Sequence, residues 1–145
     1  MLLESCPLIK SDSTMTLDPE SRKECESIME RIYGEEPGNW PYGLDIKGHD
    51  GGVWLVREPE HRKAAGFVGW QERMEPSGNG WKKVGYYSIG ILPEYRGHGY
   101  AKAAIRQLVN IKSASVDAVR AFIVPQNNVS ISLAKSLGIP VVHDA

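Results

Sequence analysis

The sequence has few of the residues from which metal sites, disulfide frameworks and membrane spans are built. Its 145 residues include two cysteines, Cys6 and Cys25, and four histidines. The cysteines lack CxxC spacing and the histidines form no HxxxH or HExxH pattern, so we expect two buried thiols and no metal ion. No apolar run approaches the ~20 residues that span a bilayer, and the first ten residues carry Glu4 without a basic leader. We therefore expect a cytoplasmic protein with no membrane contact.

The sequence also has no excess of positive or of negative charge. Seventeen Lys and Arg residues against eighteen Asp and Glu give a net charge of −1, which argues against a nucleic-acid partner. With 41% apolar residues, the chain is too hydrophobic and too weakly charged to be intrinsically disordered. Its length predicts one domain over residues 1–145. A domain of this size buries roughly 70% of its unfolded surface, which is enough for a core without disulfides.

The first predicted element is a helix that starts at Pro19 behind the N-cap Asp18 and ends at Gly34. Its apolar residues recur at helical spacing. Residues 35–51 are rich in Gly and Pro and predict a long loop with a short helix near residues 42–46. Trp40 and Tyr42 in this loop either line a substrate pocket or plug the edge of the core.

Three strands follow, at residues 53–56, 64–71 and 84–92, with turn signals between them. They predict an antiparallel meander. A helix over about residues 100–113, a strand at 119–124, a helix at 127–137 and a last strand from Ile139 complete the chain. The predicted fold class is therefore α/β (α+β mixed), with a mixed sheet covered by helices.

The segment that indicates chemistry is the turn at residues 96–101, between a strand and a helix. Glycines there let the backbone approach a ligand closely, and the free N–H groups at a helix start favour an anion. The segment predicts a turn that binds a pyrophosphate through its backbone N–H groups. It is neither a P-loop nor the dinucleotide fingerprint, because its spacing is Arg-x-x-Gly-x-Ala. After another strand, Asn127-Asn128-Val129-Ser130 opens a second helix that ends at Leu137-Gly138.

With these two segments, residues 50–142 resemble the GNAT superfamily of acyl-CoA-dependent N-acetyltransferases. The resemblance implies a mixed, mostly antiparallel sheet with a splayed central strand pair and helices on both faces. It also implies transfer of an acetyl group from acetyl-CoA to a primary amine, so the expected partners are a CoA thioester and an amine acceptor.

The resemblance assigns the CoA contacts residue by residue. Arg96 either pairs with the phosphates or braces the loop, and Asn127 contacts the pantetheine, caps the last helix, or does both. Gly90 suits a bulge at the point where the strands splay. The backbone at Ile89 and Ile91 should pair with the pantetheine arm. The pyrophosphate should meet the amides of Gly97, His98, Gly99, Tyr100 and Ala101.

Two catalytic side chains of many relatives are missing. Gly85 stands where they carry a Glu, and Ala134 where they carry a Tyr. Glu72 and Tyr86 are the catalytic candidates that could substitute, considered together with Glu75, Tyr87 and Ser88. Each could instead be a surface acid or a sheet-packing residue. The alternative function is therefore a non-catalytic GNAT-fold structural or interaction module.

The C-terminus also departs from the family, since three residues follow Val142 where relatives continue into one more strand. This predicts an open sheet edge. Three explanations of this edge are open. Residues 1–145 are the N-terminal part of a longer parent chain, a second copy in a homodimer supplies the missing strand, or a loop covers the edge.

Overall fold

The computed structural model describes residues 3–5, 8–11, 14–17, 19–33, 45–47, 51–123, 125 and 127–142. Its strands and helices follow one another in this order: β1 Leu3–Ser5, β2 Leu8–Ser11, β3 Thr14–Leu17, α1 Pro19–Tyr33, β4 Asp45–Lys47, β5 Gly51–Arg57, β6 Ala64–Ser77, β7 Gly80–Ile91, α2 Tyr100–Lys112, β8 Ala118–Phe122, α3 Asn128–Ser136 and β9 Val141–Val142. A 3₁₀ turn at Pro93–Tyr95 connects β7 to the segment before α2.

A six-stranded mixed sheet in the order β1-β5-β6-β7-β8-β9 forms the centre of the fold. β5, β6 and β7 are the predicted antiparallel meander, and β8 lies parallel to β7. The predicted last strand is present as β9, which pairs in parallel with the end of β8 over two residue pairs. The mixed α/β fold class is therefore confirmed.

Helices cover the sheet because each turns an apolar stripe towards it. Ala104, Ile105 and Leu108 of α2 are buried in one cluster with Trp70 and Tyr87 of the sheet. α1 buries Cys25 and Ile28 and contacts β6 and β7 outside that cluster. The burial expected of Cys25 is present, whereas Cys6 lies outside the described residues.

The N-terminal part was predicted incompletely. Three short strands precede α1, and β2, β3 and β4 form a second antiparallel sheet. The short helix expected near residues 42–46 is wrong at Asp45 and Ile46, which pair with β3 as part of β4. Strand pairing with a distant segment overrides the local Gly and Pro signals there. Trp40 and Tyr42 lie outside the described residues.

The hairpin of β6 and β7 is longer than predicted. Its two strands pair from Gly66↔Ile91 to Ser77↔Gly80, and Gly78 at the tip has a left-handed φ of 58°. No helix in the described ranges is long and apolar enough to cross a bilayer. The same residues hold no cluster of three or more His, Cys, Asp or Glu side chains that could bind a metal ion.

Candidate functional site

Two parallel strands at the centre of the sheet diverge towards one end. β7 and β8 pair from Val84↔Ala118 to Tyr87↔Ala121, and the Ser88 Oγ then donates a hydrogen bond to the Phe122 carbonyl at 2.9 Å. β8 ends at Phe122, whereas β7 continues to Ile91. In the described part of the chain, residues 89–91 pair only with β6. This edge of β7 is therefore a free edge in that part of the chain, apart from the Ile91 carbonyl, which accepts a hydrogen bond from Arg96.

The expected bulge at Gly90 is wrong. β6 and β7 keep one register along their whole length, so no extra residue is inserted at Gly90. The last pair between β7 and β8 is Tyr87↔Ala121, and Phe122 then pairs with Val142 of β9. Gly66 allows the unbroken pairing, because a Cβ there would lie 2.1 Å from the Gly90 carbonyl oxygen.

The turn before α2 has the backbone of an anion site. Gly97 and Gly99 have left-handed φ angles of 82° and 78°, which glycine adopts without strain. The Ala103 N–H donates to the Gly99 carbonyl at 3.1 Å, so the N–H groups of residues 100–102 have no acceptor within the helix. The helix dipole adds positive potential at this end.

Arg96 braces this turn. Its Nε donates a hydrogen bond to the Ile91 carbonyl at 3.0 Å and so ties the turn to the end of β7. This bond is the bracing role considered for Arg96, and the residue also lines the cavity described below.

A cavity of about 470 Å³ joins the turn to the free edge of β7. Every residue expected to contact CoA lines it except His98, whose ring stacks on Tyr100 with centroids 5.4 Å apart. The volume lies in the range of about 300–1,000 Å³ that is usual for small-molecule sites. The lining comprises Ile32, Ile89, Gly90, Ile91, Tyr95, Arg96, Gly97, Gly99, Tyr100, Ala101, Lys102, Asn127, Val129, Ser130 and Leu133. Such an arrangement can hold an anion at the helix end and an extended amide chain along the strand.

A family model described as the acetyltransferase (GNAT) domain matches residues 7–139. The chain belongs to the GNAT acetyltransferase family. This match confirms the resemblance of the two motif segments and extends it to residue 7, so that it includes β2 and β3. A search of curated proteins finds no match for this GNAT chain.

Solved structures share the GNAT fold at low sequence identity. The tetramutant of the BH1408 protein from Bacillus halodurans is 13% identical with a TM-score of 0.70, covering 100% of this chain and 96% of that one. An aminoglycoside 6'-N-acetyltransferase from Acinetobacter haemolyticus is 18% identical with a TM-score of 0.62, covering 91% and 93%. The aminoglycoside N-acetyltransferase AAC(6')-Iy, in complex with CoA, is 14% identical with a TM-score of 0.60, covering 87% and 90%.

Several lining residues of this GNAT domain were not singled out from the sequence. Lys102 follows the glycine motif directly in the first turn of α2, so its position could have been inferred. The position of Ile32 in the lining could not have been inferred, because it depends on how α1 packs against the sheet. An ion pair between Arg31 and Glu94 joins that end of α1 to the 3₁₀ turn beside the cavity.

Asn127 has the capping role considered for it and also lies at the cavity. Its Oδ1 accepts a hydrogen bond from the Ser130 N–H at 3.2 Å and caps α3. The same residue lines the cavity.

Glu72 is buried opposite Gly85 on the neighbouring strand. The Trp70 Nε1 donates to its carboxylate at 2.9 Å, and the Lys83 Nζ lies 3.2 Å from the other oxygen. The Trp70 ring covers Gly85 so closely that a Cβ there would lie 2.0 Å from Cζ2. Glu72 is not among the residues that line the cavity.

Tyr86 follows Gly85 directly, so its side chain lies on the other face of β7, because successive side chains alternate along a strand. Its hydroxyl donates to Glu75 and accepts a hydrogen bond from the Arg120 Nη1 at 3.0 Å. Arg120 also forms an ion pair with Glu75 at 2.6 Å. Tyr86 lies outside the lining too, so the structure does not bring the two catalytic candidates together.

Ala134, at the position where many relatives carry a Tyr, and Tyr87 are both deeply buried. Ala134 of α3 is fully buried in the same cluster as Tyr87. The Tyr87 hydroxyl is buried and has no hydrogen-bond partner among the residues that the structure describes. This burial raises the pKa of Tyr87 above its ordinary value.

Proposed function

We propose that this GNAT protein binds acetyl-CoA and transfers its acetyl group to a primary amine. The observation that carries the proposal is the single cavity that connects the glycine turn at α2 with the free edge of β7. Acetyl-CoA has a diphosphate at the middle of the molecule and an amide-containing arm that ends in the thioester. These two parts match the two ends of the cavity.

The diphosphate binds at the turn. The N–H groups of residues 100–102 point to it, and each hydrogen bond to a charged oxygen contributes roughly 1.5–3 kcal/mol. Lys102 adds a positive charge in the lining, while Arg96 keeps the turn in place.

The pantetheine arm lies along β7 as an added strand. Its amides pair with backbone groups near Ile89 and Ile91, which β8 leaves open. An N–H at this edge can also donate to the thioester carbonyl, as an oxyanion hole does.

Acetyl transfer needs a neutral amine, and the ordinary pKa of a lysine-type amine is ~10.4. Of the two candidates, Glu72 fits the base better, since it lies directly opposite the position where many relatives carry Glu. Because it lies outside the lining, it acts through water. Tyr86, held by Glu75 and Arg120, fits a positioning role. Holding the amine beside the thioester supplies much of the remaining rate.

Calorimetric titration with acetyl-CoA tests the binding step, with Gly99→Val and Gly78→Val as a matched pair. Both glycines have a left-handed φ and nothing within 4 Å of the place where a Cβ would stand, so both substitutions strain the backbone without a steric clash. Only Gly99 lies at the cavity. We expect Gly99→Val to lose acetyl-CoA binding and Gly78→Val to retain it. Equal affinity of the two variants would contradict the diphosphate site.

Release of CoA thiol in a screen of small amines, peptides and aminoglycosides tests the transfer step. We expect at least one amine to accelerate the release and to gain an acetyl group by mass spectrometry. A GNAT-fold module that binds CoA without catalysis is the second candidate, favoured by Gly85 and Ala134. Binding of acetyl-CoA without release to any amine would support that module instead.

A further inference from the structure

Two arginine side chains stack on one tyrosine ring close to the point where β7 and β8 separate. The guanidinium carbon of Arg73 lies 5.3 Å from the centroid of the Tyr86 ring, and that of Arg120 lies 5.9 Å from it. Tyr86 is buried, whereas both arginines are half-buried and still reached by solvent. Together with Glu75, these residues form the arginine cluster.

A single carboxylate serves both arginines of this cluster. Glu75 forms an ion pair with Arg120 at 2.6 Å and accepts a hydrogen bond from the Tyr86 hydroxyl. Among the residues that the structure describes, no carboxylate pairs with Arg73, whose contact is with the ring. A guanidinium presents five N–H donors in a planar fork that matches a carboxylate. The arginine cluster therefore has one positive charge in excess and one fork without an anion.

This cluster lies close to the expected position of the thioester. Because the diphosphate binds at the turn after Ile91, the pantetheine arm runs from Ile91 towards Ile89. Its thioester then ends near Ser88, whose Oγ closes the gap between the strands by its bond to the Phe122 carbonyl. Two residues of a strand span about 7 Å, so Tyr86 stands about 7 Å from Ser88 along β7. A small molecule can bridge this distance.

The cavity and the arginine cluster also share one face of β7. Side chains two residues apart lie on the same face, so Tyr86 and Ser88 are on the face of Gly90, which lines the cavity. Ile89 is on the other face, where it packs in the cluster that includes α2 and α3. On the face of Tyr86, β7 therefore has only the small residue Ser88 between the arginine cluster and Gly90. An acceptor on this face meets the thioester from the side opposite α2 and α3.

We propose that the amine acceptor carries a carboxylate that Arg73 binds, an inference that rests on the proposed acetyl transfer. The substrate class is a small amino acid, whose amine and carboxylate are a few bonds apart. Arg73 contacts the substrate, while the Tyr86 ring orients both guanidinium groups and Glu75 holds Arg120. The excess positive charge repels polycationic amines such as aminoglycosides, because like charges at short range are unfavourable.

Matched acids and amides test the charge requirement in the wild-type protein. Each of several small amino acids is compared with its own amide as acceptor, with release of CoA thiol as the readout and saturating acetyl-CoA. A hydrogen bond to a charged group is worth about tenfold or more in binding, so kcat/KM for the acid should exceed that for the amide about tenfold. The amine of the amide is less basic, so intrinsic reactivity acts in the opposite direction. Equal or higher kcat/KM for the amides overturns the proposal, and so does acetylation confined to amines without a carboxylate.

The variant Arg73→Gln tests the residue. We expect its kcat/KM for the acid to fall about tenfold or more through a higher KM, with the value for the amide within about twofold of the wild type. Arg73→Lys keeps the charge without the fork and should lie between the two. The matched control Lys63→Gln removes the same charge at an exposed position directly before β6, about 30 Å from Arg73 along the strand, and should change neither value.

The outcomes separate this inference from the proposed function. An unchanged preference for the acid in Arg73→Gln overturns the role of Arg73, as does an equal loss with acid and amide. If Arg73→Gln does not fold, Arg73→Lys and the comparison of acids with amides decide. Failure of the wild type to bind acetyl-CoA or to acetylate any amine contradicts the proposed function itself. Acetylation of amines with no preference for a carboxylate contradicts only the substrate class.

Discussion

At the scale of single residues, large and small side chains are matched across the core beside the cavity. Gly85 and Ala134 lack the groups that relatives use, and in both places an aromatic residue of this chain is a neighbour in the core: Trp70 over Gly85 and Tyr87 in the cluster of Ala134. Trp70 also holds the carboxylate of Glu72. Gly85 and Glu72 are therefore coupled through Trp70, because a side chain at position 85 would displace the ring that donates to Glu72.

Gly85→Ala shows this coupling in stability. A Cβ at position 85 would lie 2.0 Å from the Trp70 ring, so the ring must move and Glu72 loses its donor. Overpacking of this kind costs about 1–3 kcal/mol of unfolding free energy, measured by urea denaturation. The control is Gly80→Ala, whose Cβ would meet nothing closer than 4.0 Å and which should change stability by less than about 0.5 kcal/mol. Equal effects of the two would refute the coupling.

At the scale of elements, the site depends on where strands and helices end. The pairing of β7 with β8 stops before residues 89–91, which line the cavity, and α2 and α3 both begin at that cavity. The helix starts were visible in the sequence, since Gly99 and Asn127 are local signals. Strands β1 to β4 could not be predicted from the sequence, because the formation of short strands depends on pairing with distant segments more than on their own residues.

Asn127→Ala tests a helix start that also lines the cavity. Loss of its bond to the Ser130 N–H should cost about 1 kcal/mol of unfolding free energy in urea, because one N–H of α3 loses its acceptor. The affinity for acetyl-CoA, measured by calorimetry, should fall as well. Asn128→Ala, at the first exposed position of α3, is the matched control and should change both quantities less. A larger effect of Asn128→Ala would contradict the assignment of the cap.

At the scale of the whole molecule, the cavity is built from parts that lie far apart in the chain. Its lining runs from Ile32 of α1 to Leu133 of α3 and includes the end of β7 between them. A ligand that fills it should stabilise the entire domain, since unfolding disperses the lining.

Acetyl-CoA should therefore raise the temperature of unfolding in a concentration-dependent way. At about 100 times its dissociation constant, a ligand that binds only the folded state adds about 2.7 kcal/mol to the free energy of unfolding. Differential scanning fluorimetry over a series of acetyl-CoA concentrations measures this shift. The Gly99→Val variant should show no shift, and a similar shift in that variant would place the ligand elsewhere.

The sequence by itself determined the features that a few neighbouring residues control. The glycine turn, the caps of α2 and α3 and the antiparallel meander follow from local spacing, because turns and caps are specified by residues within one or two helical turns. The resemblance to the GNAT family depends on two of these local segments, residues 96–101 and 127–138. Only the tertiary structure decided the N-terminal sheet, the contact of Trp70 with Gly85 and the unpartnered hydroxyl of Tyr87. These three features depend on which residues from distant parts of the chain come into contact. Close packing between helices and strands determines those contacts, and local sequence signals do not.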